Sequence, residues 1–145
     1  MRYKNLIYLL KLLDLKFEKH SSQILNPFKL SHTQFKIIKY LYIRTGQVTI
    51  QKDIEDYFQL SNPTVTNVLK KLELHGWLER RPSPKDSRQN ILILTDKALT
   101  HQEIFKSVAH DLEAGLVSRL SSEEQEILRI LLRKALEIPN DKEEQ

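Results

Sequence analysis

Residues 77 to 94 read Trp-Leu-Glu-Arg-Arg-Pro-Ser-Pro-Lys-Asp-Ser-Arg-Gln-Asn-Ile-Leu-Ile-Leu. The stretch predicts two short strands joined by a stiff tip, because apolar residues occupy both ends and two prolines restrict the middle. Its cations are Arg80, Arg81, Lys85 and Arg88, and one acid, Asp86, stands among them at the tip. Such a loop is poorly suited to burial and well suited to lying along phosphates. The segment therefore predicts a basic, two-stranded wing.

A well-delimited helix precedes this wing. Ser61 is a favourable N-cap, Pro63 falls in the first turn, where no amide hydrogen is needed, and Gly76 follows the last turn. The helical spacing predicts a buried stripe of Val65, Val68, Leu69 and Leu72. The opposite face carries Pro63, Thr66, Asn67 and Lys70, flanked by Thr64 and Lys71. Taken alone, this face is more simply a solvated surface, but its place between a turn and a wing predicts a reading helix.

The residues before it predict two more helices and a tight turn. Ser31 and Gln34 form a capping box for the first helix, and Gly46 is a natural stop. Thr49 is expected to cap a short second helix, after which only two residues remain before Ser61. The inward residues are expected to be Phe35, Ile38, Leu41 and Tyr42 in the first helix and Ile50, Ile54, Tyr57 and Phe58 in the second. The arrangement is a helix-turn-helix.

Both ends of the chain predict helices with more apolar surface than one small core needs. The first helix carries Leu6, Ile7, Leu9, Leu10, Leu12, Leu13, Leu15 and Phe17. Thr95 is expected to begin one long helix with Ala98, Phe105, Ala109, Leu112, Leu116 and Leu120 on one side. Ser121 and Glu124 then cap a last helix that contains Ile127, Leu128, Ile130, Leu131, Leu132, Ala135, Leu136 and Ile138. The surplus favours a subunit interface over the alternative, in which the two terminal helices cover only each other.

Composition limits the class of protein. A chain of 145 residues is the size of one ordinary domain and needs neither disulfides nor a structural metal to fold. The absence of cysteine excludes disulfides, a thiolate nucleophile and a cysteine redox sensor, and it favours the cytoplasm. Residues 5 to 17 are rich in apolar side chains, but Lys11, Asp14 and Lys16 interrupt them, so neither a membrane span nor a signal sequence is expected.

The net charge of +4 is unevenly distributed along the chain. Residues 1 to 30 hold six basic and two acidic groups, residues 31 to 94 ten and six, and residues 95 to 145 seven and eleven. The three balances are +4, +4 and −4. A basic front and an acidic end suit a protein that presents one face to a polyanion.

Two stretches carry a family resemblance. Leu60-Ser61-Asn62-Pro63-Thr64-Val65-Thr66 and Gly76-Trp77-Leu78-Glu79-Arg80-Arg81-Pro82-Ser83-Pro84-Lys85-Asp86-Ser87-Arg88, in this order of elements, resemble the MarR family of transcriptional regulators. The likeness covers nearly the whole chain, and its most specific part is the wing's Asp-x-Arg followed by Leu94-Thr95-Asp96-Lys97-Ala98. It implies a mainly α fold with a small β-hairpin wing. Residues 31 to 94 would form the winged helix-turn-helix lobe, and residues 1 to 30 and 95 to 145 a helical dimerisation region.

The resemblance also implies a function. The chain would be a ligand-responsive repressor that binds duplex DNA as a homodimer at a pseudo-palindromic operator. The predicted DNA-binding residues are Thr49, Gln51, Ser61, Asn62, Pro63, Thr64, Thr66, Asn67, Lys70, Lys71, Arg80, Arg81, Lys85, Asp86, Ser87 and Arg88. Of these, the resemblance implies phosphate contacts for Thr49, Gln51, Ser61, Arg80, Arg81 and Lys85; which of the paired arginines faces DNA depends on strand phase.

Physical chemistry gives roles to the central residues. Thr64, Thr66, Asn67 and Lys70 can reach the major groove, and an asparagine can pair with an adenine edge through two hydrogen bonds. The threonines near the helix start can equally contact phosphate or a thymine methyl. Asp86 stands two residues before Arg88 and can hold its guanidinium as it enters a minor groove, so Asp86 orients rather than contacts DNA.

One position departs from the family. A small alanine is usual in the helix before the turn, where this chain has Glu55. A larger side chain at this position must point outward or open the angle between the two helices.

Other functions find little support in the sequence. The histidines lack metalloprotease spacing, and no phosphate-cradling loop is present, so neither an enzyme nor a cofactor is expected. For His101, Glu103, His110 and Glu113, solvated side chains are favoured over a metal site.

The resemblance also implies a small aromatic or amphipathic effector. Its candidate lining residues are Tyr8, Tyr40, Tyr42 and Trp77, although a core role is favoured for each. The remaining alternative is a winged-helix module that binds protein instead of DNA.

Overall fold

Seven α-helices and one β-hairpin make up the part of the chain that the structure describes. The computed structural model describes residues 2–139, apart from the side chain of Arg2. The elements are α1 (Leu6–Leu25), α2 (His32–Ile43), α3 (Gln51–Phe58), α4 (Asn62–Leu74), β1 (Leu78–Pro82), β2 (Asn90–Leu94), α5 (Asp96–Thr100), α6 (Gln102–Val117) and α7 (Ser122–Ala135). Short 3-10 turns cover Arg2–Lys4 and Asn26–Phe28. The predicted fold class, mainly helical with a small hairpin, is confirmed.

Local capping sets most helix starts where the sequence predicts them. Ser31 Oγ accepts a hydrogen bond from the Gln34 amide at 3.1 Å, and Gln34 Oε1 accepts from the Ser31 amide at 2.9 Å. The same reciprocal pair links Ser121 and Glu124 at the start of α7. Such boxes satisfy amide hydrogens that have no partner within the helix. Gly76 has a φ of +76°, the left-handed conformation that turns the chain from α4 into the hairpin.

Two expectations for the α3 region are wrong. The N-cap of α3 is Ile50 instead of Thr49, because the Ile50 amide donates to Asp53 Oδ2 at 2.9 Å. Thr49 is 2% exposed, and its hydroxyl accepts from Arg44 Nε at 2.8 Å. Tyr57 was expected inside but is 62% exposed, with its ring packed against that of Tyr40 at 4.3 Å between centroids. A neighbouring aromatic surface holds it outside the core.

The long helix expected from Thr95 to Leu120 is interrupted at His101. Thr95 caps α5 as predicted, but the chain breaks after Thr100 and resumes as α6. The His101 ring donates through Nδ1 to the Lys97 carbonyl at 2.7 Å and packs edge-on to Trp77. The break thus falls at a residue whose ring packs into an aromatic cluster with Trp77 and Phe105. Leu120, Leu136 and Ile138 likewise lie beyond the ends of α6 and α7.

The core joins the lobe to the later helices. The ring of Phe105 in α6 packs edge-on to that of Phe35 in α2, and its centroid lies 5.3 Å from the centroid of the Trp77 ring. In the hairpin, Leu78 is opposite Leu94 and Pro82 is opposite Asn90. Residues 31–94 and both flanking segments contribute to one buried cluster. The assignment of DNA binding to residues 31–94 and of dimerisation to the flanking segments therefore remains a prediction.

The ends of the molecule are much less buried. In α7 every residue keeps accessible surface, and Ile127, Ile130 and Leu131 are each more than half exposed. Leu6 and Ile7 at the start of α1 are both 70% exposed. The alternative in which α1 and α7 cover each other is thus not what this chain does. No helix in the described residues is long and apolar enough to cross a membrane.

Candidate nucleic-acid interface

A tight turn sets α4 against α3. Gln59 adopts the left-handed conformation with a φ of +53°, and the Leu60 amide donates to the Glu55 carbonyl at 3.0 Å. Ser61 Oγ then caps α4 by accepting from the Thr64 amide. The chain therefore reverses within three residues, as a helix-turn-helix requires.

The outer face of α4 carries most of the predicted contact residues. Val65, Leu69 and Leu72 are fully buried beneath it. Thr66 is half-buried, and the remaining predicted residues of the helix are exposed: Asn62, Pro63, Thr64, Asn67, Lys70 and Lys71. Burial of one stripe thus fixes which side chains reach outward. Hydroxyl and amide groups occupy the first two turns of this face, and the ammonium groups follow.

Two polar side chains of α3 reach across to α4. Gln51 Nε2 donates to Thr66 Oγ1 at 2.8 Å, and Asn62 Nδ2 donates to Glu55 Oε2 at 3.0 Å. Glu55, at the position usually held by alanine, therefore points outward toward the start of α4. The positive end of the α4 helix dipole stabilises a carboxylate at this place. Both hydrogen bonds join α3 to the first two turns of α4 at the solvent-exposed edge of the helix pair.

The wing tip is closed by its own backbone. The Ser83 amide donates to the Gln89 carbonyl at 2.8 Å, and the Gln89 amide donates to the Asp86 carbonyl at 3.0 Å. Asp86 Oδ1 accepts from the Arg88 amide at 3.0 Å and from Arg88 Nε at 3.1 Å. Hydrogen bonds from the Arg88 side chain, and then from its amide, lower the pKa of the Asp86 carboxyl below its usual value.

The resulting geometry presents a held cation to solvent. The Arg88 side chain is 89% exposed, although its guanidinium is tied to Asp86. Two hydrogen bonds restrict the rotamers of a side chain that would otherwise be free, so less conformational freedom is lost when it meets an anion. The contact predicted from the two-residue spacing is present.

The two adjacent arginines have different surroundings. Arg80 is half-buried and forms an ion pair with Glu73 of α4, whereas Arg81 is exposed and pairs with Glu79 at 3.0 Å. The strand phase therefore turns Arg80 toward the reading helix and Arg81 away from it. Lys85 lies exposed at the tip.

A groove between α4 and the wing gathers several predicted residues. Its lining contains Gln51, Asn62, Thr66, Arg80 and Arg88, together with Ile50, Lys52, Glu55, Gln89 and Asn90. Sequence reasoning missed Lys52, Gln89 and Asn90, although each lies within two residues of Gln51 or Arg88 in the chain. Thr49 lies outside this groove and is buried, with its hydroxyl accepting from Arg44 Nε, so its side chain is not placed to contact a phosphate.

The metal candidates are scattered. Within residues 2–139 no group of three His, Cys, Asp or Glu side chains stands close enough to hold an ion. The His101 ring packs among Phe28, Trp77 and Phe105.

A reading helix behind a tight turn, beside a hairpin with an exposed and oriented arginine, defines a winged helix-turn-helix protein of the nucleic-acid-binding class. Comparisons with known proteins agree. A family model described as MarR family matches residues 30–89. The HTH-type transcriptional regulator YwoH of Bacillus subtilis (strain 168) is 31% identical over 119 residues, which cover 82% of this chain and 85% of the relative. The multiple antibiotic resistance protein MarR of Escherichia coli (strain K12) is 26% identical over 129 residues, with 88% of both chains covered.

Solved structures give the same result. The S. aureus MepR-DNA complex aligns with a TM-score of 0.82 at 30% identity and covers 92% of this chain and 96% of that chain. A cysteine-to-serine mutant of MarR from E.coli complexed with operator DNA aligns with a TM-score of 0.76 at 26% identity, covering 88% and 91%. The chain belongs to the MarR family. It is a DNA-binding transcriptional regulator and not an enzyme, and the protein-binding alternative is not favoured.

Proposed function

We propose that the chain acts as a homodimer that represses transcription from a pseudo-palindromic operator, with α4 in the major groove and the wing in the adjacent minor groove. The observation that carries this proposal is the wing tip, where Asp86 holds the exposed guanidinium of Arg88. A narrow minor groove attracts such a cation. A dimer seated on operator DNA blocks access to a promoter that overlaps it. Such a regulator works where the chromosome is, in the cytoplasm.

Uncovered apolar surface supports the dimer. The large apolar residues of α1 and α7 that are at least 40% exposed are Leu6, Ile7, Leu9, Leu10, Leu15, Ile127, Ile130 and Leu131. Monomeric proteins rarely expose contiguous apolar patches of this kind. A second copy covers both ends by two-fold symmetry, since each copy offers the same surface.

The DNA contacts follow from position and charge. Thr64, Thr66, Asn67 and Lys70 meet base edges, with a bidentate contact from Asn67 to adenine contributing about 1 to 3 kcal/mol of discrimination. The remaining residues of the proposed interface contact phosphate or shape the surface: Gln51, Ser61, Asn62, Pro63, Lys71, Arg80, Arg81, Lys85, Asp86 and Ser87. Arg88 enters the minor groove.

A cavity between α2 and α6 suits an effector. It encloses about 320 Å³ and is lined by Lys39, Tyr42, Ile43, Gln102, Phe105, Lys106 and Ala109. Apolar walls with two lysines fit a small amphipathic or aromatic anion. Of the four aromatics considered from the sequence, Tyr42 lies here; burial raises its pKa to about 12, and its hydroxyl donates to the Ala98 carbonyl. A ligand would favour a dimer whose reading helices no longer match grooves about 34 Å apart.

Salt dependence tests the interface. Affinity for operator duplex should fall by at least about 100-fold between 50 and 200 mM salt, because several phosphate contacts release counterions. Arg88→Ala should weaken binding severely while sedimentation still reports a dimer. Affinity that hardly changes with salt contradicts the phosphate footprint, and a dissociated Arg88→Ala dimer contradicts the minor-groove role.

A further inference from the structure

The amide of Gln51 has a defined orientation against the reading helix. Gln51 Nε2 lies 2.8 Å from Thr66 Oγ1 and 3.4 Å from the Asn62 carbonyl oxygen. A backbone carbonyl only accepts hydrogen bonds, so the nitrogen end of the amide is the one that faces α4. Gln51 therefore donates to the Thr66 hydroxyl oxygen. The contact lies in the groove between α4 and the wing, which both residues line.

A hydroxyl whose oxygen already accepts must direct its own hydrogen elsewhere. The Asn62 carbonyl, one turn earlier on α4, is faced by the same Gln51 amide. The Glu55 carboxylate in the same groove accepts from Asn62 Nδ2 at 3.0 Å. Thr66 keeps part of its surface exposed. In the described residues the Thr66 hydroxyl donates to none of these oxygens, so its hydrogen is available to point outward into the open groove, where bound DNA would lie.

We propose that Gln51 is a positioning residue that fixes Thr66 as a hydrogen-bond donor toward a base edge in the major groove. This inference rests on the proposed function and replaces the expected phosphate contact of Gln51. Guanine offers the acceptors N7 and O6, adenine offers N7 and thymine offers O4, whereas cytosine offers only the N4 donor. The base opposite Thr66 on the contacted strand is therefore guanine, adenine or thymine in preference to cytosine.

The preference can be measured without knowing the natural operator. The unsubstituted protein selects a site from a pool of randomised DNA duplexes, and competition binding then compares all four bases at every position of that site. Thr66→Val, which removes the hydroxyl and keeps the shape, identifies the position that Thr66 reads. There the unsubstituted protein should favour guanine, adenine or thymine over cytosine by about 3- to 10-fold, the range of one neutral hydrogen bond.

Two substitutions of Gln51, one that removes its amide donor and one that replaces it with an acceptor, distinguish the positioning of Thr66 from a direct phosphate contact. Gln51→Ala should flatten the preference at this one position, and the effects of Gln51→Ala and Thr66→Val should be non-additive in the double variant. Gln51→Glu should shift the preference toward cytosine, because a carboxylate accepts from the Thr66 hydroxyl and leaves its lone pairs facing the base. The comparison is a ratio within one protein, so the general loss of affinity caused by the new negative charge cancels.

Lys85→Ala supplies the matched control for a phosphate contact. It should weaken binding to all sequences and lower the dependence on salt, with base preferences unchanged. If Gln51→Ala behaves in the same way as Lys85→Ala, or if Gln51→Glu leaves the preference at the Thr66 position unaltered, the inference is overturned. An unsubstituted protein that selects no sequence from the pool overturns the proposed function itself, and with it the premise that Thr66 faces a base.

Discussion

At the scale of single residues, Asp86 is where two electrostatic effects oppose each other. As a negative charge in a basic tip it repels phosphate, and as a partner of Arg88 it holds a guanidinium in place. The sequence identified this pair because two residues of spacing suffice to form it. It could not identify the surroundings of Thr49 or Tyr57, because Arg44 and Tyr40 meet them only through the packing of α2.

The two effects of Asp86 predict opposite results for Asp86→Ala. We expect affinity for operator DNA to fall by roughly 3- to 10-fold, because the freed Arg88 must be ordered on binding. Fluorescence anisotropy on a labelled duplex measures the change. Glu79→Ala is the control, since Glu79 pairs with Arg81 on the same wing and its removal should leave affinity equal or higher. Tighter binding by Asp86→Ala would mean that the carboxylate acts only as a repulsive charge.

At the scale of elements, caps and buried stripes were readable and contacts between helices were not. Ser31, Ser61 and Ser121 cap their helices through groups three residues away, so their role is local and visible in the sequence. The break between α5 and α6 falls at His101, whose ring packs against that of Trp77, 24 residues earlier in the chain. Periodicity alone predicts one helix where the structure has two.

The packing of α1 on α2 should depend on pH through His32. Its ring lies edge-on to Phe17 at 4.7 Å, and burial, followed by repulsion from Lys36 and Lys39, lowers the pKa of His32, while Asp14 opposes the shift. A folded state that binds the proton less readily than the unfolded chain loses stability as pH falls below about 6.5. The loss should be small, since the ring is only half-buried and solvent screens its charge.

Chemical denaturation of the unsubstituted protein and His32→Gln between pH 7.5 and 5 measures this contribution. The variant should lose less stability over that range, and the difference between the two curves removes the contribution of the other histidines. Parallel curves would mean that protonation of His32 is not coupled to folding.

At the scale of the whole molecule, α7 is the element that a single copy does not explain. Its capping box, its acidic first turn and its basic last turn favour a helix. An isolated helix of 14 residues is nevertheless marginal in water, and α7 contributes no buried residue to the core. Its stability should therefore come from the second copy.

Leu131→Glu tests this dependence. Leu131 is 57% exposed on α7, and a carboxylate there should convert the dimer to monomer at micromolar concentration and weaken operator binding by at least about 10-fold, because one charge is desolvated in each symmetric half of the interface. Sedimentation velocity and gel shift measure the two effects. The matched control is Leu74→Glu, which changes an 81% exposed leucine on α4 and should leave the dimer intact. A dimeric Leu131→Glu protein would place the interface elsewhere.

The sequence by itself determined the starts of α2, α4, α5 and α7, the outward face of α4, the hairpin and the Asp86–Arg88 pair. Each depends on residues close along the chain or on the period of one helix, and hydrogen bonds over such short separations need no knowledge of the rest of the molecule. Only the tertiary structure decided that Thr49 is buried, that Arg80 turns toward Glu73 while Arg81 turns outward, and that Gln51 donates to Thr66. Those outcomes depend on distances between separate elements, which are fixed when the shared core packs and not before.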